Sequence, residues 1–244
     1  MNKFNRTKLL IGNKGIQALR NSKVMVCGLG GVGSYASEAL CRAGIGNLVL
    51  VDFDKIKLSN FNRQLYALDD TLGSFKIDEA KKRLSKINSD CIIETKKIFI
   101  DSKNSEHILD ESITAVVDAI DSVSPKVSLI SSCVKKNIFL VSCFGSALRV
   151  DPLLVRVDDI SQTKICPLAR FIRKKLHKRG IYKGVTCVYS IEPPKTNLYE
   201  EEPESDDYQK GRIRKPLGSI SYMPGIFGLI ASYVIIKHIL GFRP

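Results

Sequence analysis

The feature that most constrains this chain is a glycine-rich loop between a short apolar strand and a helix. The predicted strand Lys23–Cys27 leads into the loop, and a helix over Val32–Ala43 leads to a second apolar strand, Leu48–Val51. The loop contains Gly28, Gly30, Gly31, Gly33 and Ser34. Glycines permit a tight turn and close backbone approach, and a helix N-terminus offers N–H groups to a phosphate. This βαβ unit predicts a nucleotide site.

A carboxylate follows the second strand, where a nucleotide ribose is commonly held. Asp52 ends this strand about twenty residues beyond the loop, and it can accept hydrogen bonds from ribose hydroxyls. A tight turn without a ligand is the alternative, but loop, helix and acid together favour a nucleotide. These features do not separate ATP from a nicotinamide dinucleotide, so a dehydrogenase or a non-catalytic Rossmann module remains open.

Polar and cationic residues in the next segment favour a triphosphate. Asn60, Arg63 and Gln64 follow the second strand by a short loop, and Lys76 begins the next predicted helix. The β- and γ-phosphates need localised positive charge, which Arg63 and Lys76 can supply, whereas hydride transfer has no such need. Taken singly, however, each of these cations is more often a surface charge than a ligand.

An acidic segment closes a later apolar strand. Asp118 ends the predicted strand Ala115–Asp118, and Asp121 follows it at the carboxyl edge of the sheet, where ligands of such folds bind. A carboxylate there can hold Mg²⁺ through one or two oxygens together with substrate phosphates. The sequence therefore predicts a magnesium site at this edge.

Helices and strands alternate over the remaining core. The further predicted elements are a helix at Lys76–Ile87, short strands near Ile92–Ile100, a helix at Val123–Lys136 and a strand at Ile138–Ser142. This alternation predicts an α/β, Rossmann-like fold whose mainly parallel sheet carries helices on both faces. We expect a single domain, 1–244, with a nucleotide-binding core at 1–150 and a substrate-side extension at 151–244.

The extension is expected to end in a loop and a final helix. Its predicted elements are a strand at Leu153–Val157, a basic amphipathic helix at Leu168–Arg179, a strand at Val185–Ile191 and a mobile, acid-rich loop at Glu192–Asp207. The apolar run Ile226–Ile236 is too short to span a bilayer, so it predicts a buried core helix. Contact with a membrane surface is the lesser alternative.

Charge and cysteine usage bound the partners and the compartment. A formal net charge of +13 would attract a polyanion such as tRNA, another nucleic acid or an anionic membrane, although a lysine-rich proteome would give the same excess. The basic face of the helix Leu168–Arg179 is either solvated or a contact for a tRNA backbone. Seven cysteines without a C-x-x-C pair argue against zinc and disulfides, and favour the cytoplasm.

These motifs together resemble the ubiquitin-activating-enzyme-like adenylating enzymes over nearly the whole chain. The resemblance rests on Arg6, the loop Gly28–Ser34, Val51–Asp54, Ser59–Asn60 with Asn62–Gln64, Gly73 with Lys76, and Asp118–Asp121. It implies that ATP is bound by the glycine loop with Asp52 on the ribose, and by Asp54, Asn60, Arg63, Gln64 and Lys76. It also implies Mg²⁺ on Asp121 and a homodimer in which Arg6 reaches the partner's site. Arg6, Arg63, Lys76 and Asp121 are the implied catalytic residues.

Within this family the chain resembles the tRNA threonylcarbamoyladenosine dehydratase branch. The matching segments are Asn62–Leu65, Asp118–Ser122, Asp151–Pro152, Cys166–Ala169 and Gly218–Pro224. That branch lacks zinc cysteines, as this chain does. The implied reaction is the ATP-dependent cyclisation of threonylcarbamoyladenosine at position 37 of tRNA, in which a carboxylate is adenylated, an internal nucleophile closes the ring, and one water is lost overall.

Cys187 leaves an alternative function open, and two further residues depart from the pattern of the dehydratase branch. Cys187 lies near the position where some relatives carry a thioester-forming cysteine, although its valine neighbours favour a packed strand residue. Phe144 places bulk near the expected substrate pocket, and Leu217 stands where some members have cysteine. The alternative function is the adenylation of a ubiquitin-like sulfur-carrier protein, with a sulfur-transfer partner protein. The absence of zinc cysteines and the positive charge argue against it.

Overall fold

A seven-stranded sheet forms the centre of the computed structural model, which describes residues 3–199 and 216–241. Its strands are β1 (Lys23–Cys27), β2 (Asn47–Val51), β3 (Ile92–Lys96), β4 (Ala115–Asp118), β5 (Phe139–Phe144), β6 (Val155–Asp159) and β7 (Thr186–Ser190). Their spatial order is β3-β2-β1-β4-β5-β7-β6. All neighbouring pairs are parallel except β6 and β7. The mainly parallel, Rossmann-like sheet predicted from the sequence is confirmed.

Helices cover both faces of this sheet. They are α1 (Asn5–Asn21), α2 (Gly31–Ala43), α3 (Lys76–Ile87), α4 (Val123–Lys135), α5 (Pro167–His177) and α6 (Tyr222–Leu240). The central strands are apolar on both faces, as parallel strands between two helical layers must be. One core cluster joins the sheet to α2, α3 and α6, and a second joins it to α4 and α5. Two hydrophobic core clusters, packed between the sheet and its helices, therefore hold the strands in place.

Helix α6 is longer than the apolar run in the sequence suggested. At 19 residues it is long and apolar enough, by those two criteria, to cross a membrane, so the length argument made from Ile226–Ile236 was wrong. Half of its most apolar 18-residue window is nevertheless buried inside the fold. A Cβ on Gly228 would lie 2.3 Å from the Val32 carbonyl oxygen, which shows how closely α6 and α2 approach. The prediction of a buried core helix is confirmed.

Three local predictions need correction. Helix α1 was not predicted, because its exposed Leu9 and Leu10 and a kink at Gly12, where φ is +72°, break the apolar period. The strands expected up to Ile100 end with β3. Strand β6 begins two residues later than predicted, since a 3₁₀ turn at Pro152–Leu154 comes first, capped by the Asp151 side chain, which accepts from Leu153 N at 2.9 Å.

The second half of the acid-rich loop predicted at Glu192–Asp207, residues 200–207, lies outside the described residues. On its N-terminal side, Glu192 is buried and its Oε2 accepts hydrogen bonds from the backbone N–H groups of Val150 and Asp151, both at 2.9 Å. On its C-terminal side, Gly218 O accepts from Leu148 N at 2.9 Å. Both flanks therefore rest on the loop that follows β5.

Candidate functional site

The predicted motifs meet at the carboxyl edge of the sheet. Strand β1 lies between β2 and β4, so the glycine loop after β1 is flanked by Asp52 on one side and by the turn Ala119–Asp121 on the other. Gly28 N donates to Val51 O at 2.8 Å, and Ala119 N donates to Cys27 O at 2.9 Å. This edge is where ligands of doubly wound folds bind.

The glycines of the loop serve two different purposes. A Cβ on Gly33 would lie 1.7 Å from the Gly28 carbonyl oxygen, and one on Gly28, where φ is +87°, would lie 2.8 Å from Ala119 O. A Cβ on Gly31 would meet Pro224 of α6 at 2.8 Å. At Gly30 the nearest of these neighbours is Gln64 Nε2 at 3.8 Å. Packing requires three of the glycines, whereas Gly30 leaves open space at the start of α2.

The start of α2 presents its N–H groups to that space. Gly30 is the N-cap residue, and among the described residues no side chain caps the helix there. Ser34 lies one turn further on, and its Oγ accepts a hydrogen bond from Leu65 N at 3.3 Å, which ties the helix to the segment carrying Arg63 and Gln64. The positive end of the helix dipole and its exposed donors suit a phosphate.

Asp52 connects the loop to the second strand. Its Oδ2 accepts from Leu29 N at 2.6 Å and its Oδ1 accepts from Asp54 N at 2.8 Å. Burial raises the pKa of Asp52, while the positive charge of Lys76 acts in the opposite direction. The carboxylate is thus fixed beside the glycine loop, in the position from which it can bind ribose hydroxyls.

The cations predicted for the phosphates lie on either side of the glycine loop. Lys76 is buried at the start of α3, and its Nζ lies 2.9 Å from Asp54 Oδ2. Arg63 is partly buried, and its Nη1 donates to Ser59 O at 2.7 Å. Burial lowers the pKa of Arg63, and the negative charge of the nearby Asp121 side chain opposes this shift.

Two amide side chains, those of Asn60 and Gln64, lie in the segment that carries Arg63. Asn60 is buried, and its Oδ1 accepts from Lys57 N at 3.1 Å, which fixes the turn before Arg63. Gln64 is also buried and turns its amide towards Gly30. Both residues therefore shape the space above the glycine loop.

Arg6 is the one predicted site residue that lies away from the others. It is exposed on the first turn of α1. Phe4 packs at the C-terminal end of α2, since a Cβ on Gly44 would lie 3.4 Å from its ring. Helix α2 separates that end from the glycine loop by about 20 Å at 1.5 Å per residue. Arg6 therefore does not reach the nucleotide site of its own subunit.

The sequence did not reveal a buried ion pair beneath the site. Lys126 Nζ lies 2.8 Å from Asp118 Oδ2, donates to Cys143 O at 3.0 Å and to Ser142 Oγ at 3.2 Å, and both charged side chains are 0% exposed. The Asp118 carboxylate is thus paired with Lys126 and buried, whereas Asp121, after the same strand, is exposed. Across the described ranges, this edge included, no group of three His, Cys, Asp or Glu side chains is placed to hold a metal.

A pocket next to Asp52 was also missed. It has a volume of about 390 Å³ and is lined by Phe53, Lys97, Ile98, Phe99, Asp101 and Asn104. The rings of Phe53 and Phe99 meet edge to face with centroids 5.1 Å apart. An aromatic wall beside the carboxylate predicted to bind the ribose can accept a purine base. The residues after β3 carry no recognisable motif, so only the folded chain brings them to Phe53.

The remaining candidates behave as packed residues. Cys187 is buried in β7, and burial raises the pKa of its thiol, which opposes a role as nucleophile. Phe144 is fully buried, with its ring 4.8 Å from Lys126 Nζ, so its bulk lies in the core. Phe171 of α5 is exposed, whereas Arg173 of the same helix turns inward and donates to Thr163 O at 2.8 Å.

Comparison with known proteins agrees with this arrangement. The ThiF family profile matches residues 4–244. The chain belongs to the ThiF family. This confirms the resemblance drawn from the motifs. The tRNA threonylcarbamoyladenosine dehydratase of Bacillus subtilis (strain 168) is 38% identical over 243 residues, which cover 98% of this chain and 95% of the relative.

A solved structure extends the likeness to the fold. The crystal structure of Escherichia coli tRNA N6-threonylcarbamoyladenosine dehydratase in complex with ATP matches with a TM-score of 0.86 at 32% identity, over 98% of this chain and 94% of that one. The Escherichia coli (strain K12) molybdopterin-synthase adenylyltransferase is 36% identical over 153 residues, which cover 62% of this chain and 60% of the relative. Likeness to the dehydratases therefore extends further along the chain.

Proposed function

We propose that this chain is an ATP-dependent tRNA threonylcarbamoyladenosine dehydratase. The observation that carries the proposal is the meeting, at one sheet edge, of an open glycine loop, the fixed carboxylate of Asp52 and two cations. The end-to-end likeness to dehydratases, one of them solved with ATP, supports the substrate class. All seven cysteines are free thiols, which suits a cytoplasmic enzyme.

The proposed first step is adenylation of the substrate carboxylate. One carboxylate oxygen attacks the α-phosphorus, and the bond to the pyrophosphate oxygen breaks. Asp52 holds the ribose, the N-terminus of α2 and Lys76 hold the phosphates, and Arg63 stabilises the charge that grows as pyrophosphate leaves. Mg²⁺, held by Asp121 and phosphate oxygens, would neutralise further charge. An internal nucleophile of the substrate then closes the ring and releases AMP.

A homodimer is part of the proposal, because Arg6 cannot serve its own site. About 20 Å separates the start of α1 from the glycine loop within one subunit. A second copy could bring its Arg6 to Arg63 and Asp121, where a third cation would support the leaving pyrophosphate. A mixture of the Arg6→Ala and Lys76→Ala variants should recover part of the activity that each loses alone, as only a shared site allows. An inactive mixture, with gel filtration showing that mixed dimers had formed, would contradict the shared site.

The basic face of α5 is the proposed contact for the tRNA backbone. Its exposed cations are Arg170, Lys174, Lys175 and Lys178, with Lys183 in the loop beyond. The helix begins near the carboxyl edge and ends where Arg179 Nη1 donates to Ser131 Oγ at 3.1 Å. The charged face thus extends away from the nucleotide site, so it could contact the backbone of a tRNA whose modified base is bound at that site.

The deciding experiment measures AMP and pyrophosphate release from Mg-ATP with tRNA that carries threonylcarbamoyladenosine. Mass spectrometry of gently digested nucleosides records the loss of one water. Release that depends on the modified tRNA, with the water lost, would establish the dehydratase. Adenylation of a small carrier protein ending in Gly-Gly, without turnover of tRNA, would instead establish the sulfur-carrier alternative and a sulfur-transfer partner with it. We propose no membrane contact, because α6 packs within the core.

A further inference from the structure

A buried arginine beside the site has an unused donor. Arg149 is 4% exposed; its Nε donates to Glu192 O at 3.2 Å and its Nη1 donates to Ala147 O at 2.8 Å. Its Nη2 is buried and has no hydrogen-bond partner among the described residues. A buried guanidinium nitrogen without an acceptor carries an uncompensated loss of hydration, so the position is suited to an incoming oxygen atom.

The N-terminus of α5 lies close to the Arg149 guanidinium. Cys166 is the N-cap residue, no side chain in the described ranges caps the helix, and Pro167 at the first position has no N–H. Cys166 Sγ and the Arg149 guanidinium both border Gly145: a Cβ built there would lie 2.9 Å from Sγ and 3.7 Å from Nη1. Because a Cβ at 145 would be too close to Sγ, glycine at this position lets the start of α5 and the Arg149 guanidinium pack together, and both attract negative charge.

This contact between Arg149 and the start of α5 adjoins the candidate nucleotide site. Gly145 directly follows β5, and β5 pairs in parallel with β4, which ends at Asp118. Gly218 O accepts a hydrogen bond from Leu148 N at 2.9 Å, and the neighbouring Ser219 O accepts one from Asn62 Nδ2, also at 2.9 Å. The loop with Arg149 is therefore joined by two hydrogen bonds to the segment that carries Arg63. It lies on the side of the site opposite the base pocket at Phe53.

We propose that Arg149 and the N-terminus of α5 form the subsite that recognises the threonylcarbamoyl chain, with Nη2 donating to an oxygen of its carboxylate. This assignment rests on the proposed function. The carboxylate has two oxygens: one attacks the α-phosphorus, and the other keeps its partial charge and needs a donor. A planar guanidinium next to a helix N-terminus supplies that donor at a fixed angle. Arg149 thus determines specificity for a carboxylate-bearing substrate.

The test compares two ligands of the same enzyme. Binding of N6-threonylcarbamoyladenosine nucleoside and of its methyl ester is measured by calorimetry in the presence of a non-hydrolysable ATP analogue. Wild-type protein should prefer the free acid by at least about tenfold, the scale of one charged hydrogen bond. Arg149→Met should lose this preference and keep its affinity for the ATP analogue. The matched control is Arg156→Met, because Arg156 is exposed on β6 and bonds only to backbone oxygens.

Each outcome gives a definite answer. An undiminished preference for the acid in folded Arg149→Met would overturn the inference and leave Nη2 to an ordered water. If Arg149→Met does not fold, Arg149→Lys keeps the charge without the planar fork, and an undiminished preference in that variant overturns the inference equally. Failure of the wild-type protein to release AMP with modified tRNA contradicts the proposed function itself, which separates the two failures.

Discussion

Lys76 is positioned before any nucleotide binds. Its Nζ is held 2.9 Å from Asp54 Oδ2, although the Asp54 side chain remains about half exposed. We expect Lys76→Ala to lower the rate of AMP release by about 10²- to 10³-fold, because a preorganised cation is lost from the growing charge. The fold should survive, since water can solvate Asp54. Thermal unfolding and AMP release are measured together, with Lys82→Ala on the exposed face of α3 as the control. Unchanged turnover in Lys76→Ala would remove the phosphate role.

Lys126 makes a different kind of contribution at the same scale. Lys126→Met would leave Asp118 as a buried charge without a cation, which costs about 3–5 kcal/mol of the free energy of unfolding. Adding Asp118→Asn removes that charge and should restore part of the loss. Urea unfolding of the single and double variants gives the coupling energy. A double variant no more stable than Lys126→Met would mean that the two side chains act independently.

Single residues also mark what the sequence could and could not predict. Asp52 and Lys76 belong to motifs with fixed spacing from a strand end, so their positions follow from the order of elements. Lys126 and Arg149 carry no such spacing. Their importance comes from their burial and from partners distant in the chain, such as Asp118, 8 positions from Lys126, and Glu192, 43 positions from Arg149, which only the folded structure reveals.

At the scale of elements, the turn from β1 into α2 separates packing from binding. Gly33→Ala would place a Cβ 1.7 Å from a backbone oxygen, so we expect loss of the native fold in this variant. Gly30→Ala meets nothing closer than 3.8 Å, so its melting temperature should stay near that of the wild type while ATP affinity falls, because the methyl group enters the open space. Thermal unfolding with and without ATP distinguishes the two. Normal ATP affinity in Gly30→Ala would argue that the phosphates lie elsewhere.

The elements themselves were predictable where a local pattern is complete. Strands β1, β2 and β4 are unbroken apolar runs, and α3 has a clear polar face, so their ends were predicted within one residue. Helix α1, which packs against α6, lacks such a pattern, because Leu9 and Leu10 are exposed while only Gly15 and Leu19 are buried. A helix whose partner lies at the other end of the chain gives little local signal.

For the molecule as a whole, the location of positive charge matters more than its sum. Reversing Lys174, Lys175 and Lys178 to Glu on α5 should weaken tRNA binding and reduce the salt slope of log Kd by about 0.9 for each phosphate that the protein no longer neutralises. The matched control reverses Lys81, Lys82 and Lys86 to Glu on α3, another exposed basic group. Filter binding over a range of salt concentrations measures both. Equal effects of the two triple reversals would mean that net charge alone attracts tRNA.

The place of α6 in the core bears on how the protein is made. Met223, Phe227 and Ile235 belong to the same buried cluster as Val24, Leu40 and Leu50, which are synthesised long before them. Until the final helix has emerged from the ribosome, the apolar face of α2 has no lasting cover. The nascent protein therefore stays partly open and prone to aggregation until α6 can pack against α2. Chaperone demand and sensitivity to premature termination are thus set by the C-terminal end of the chain.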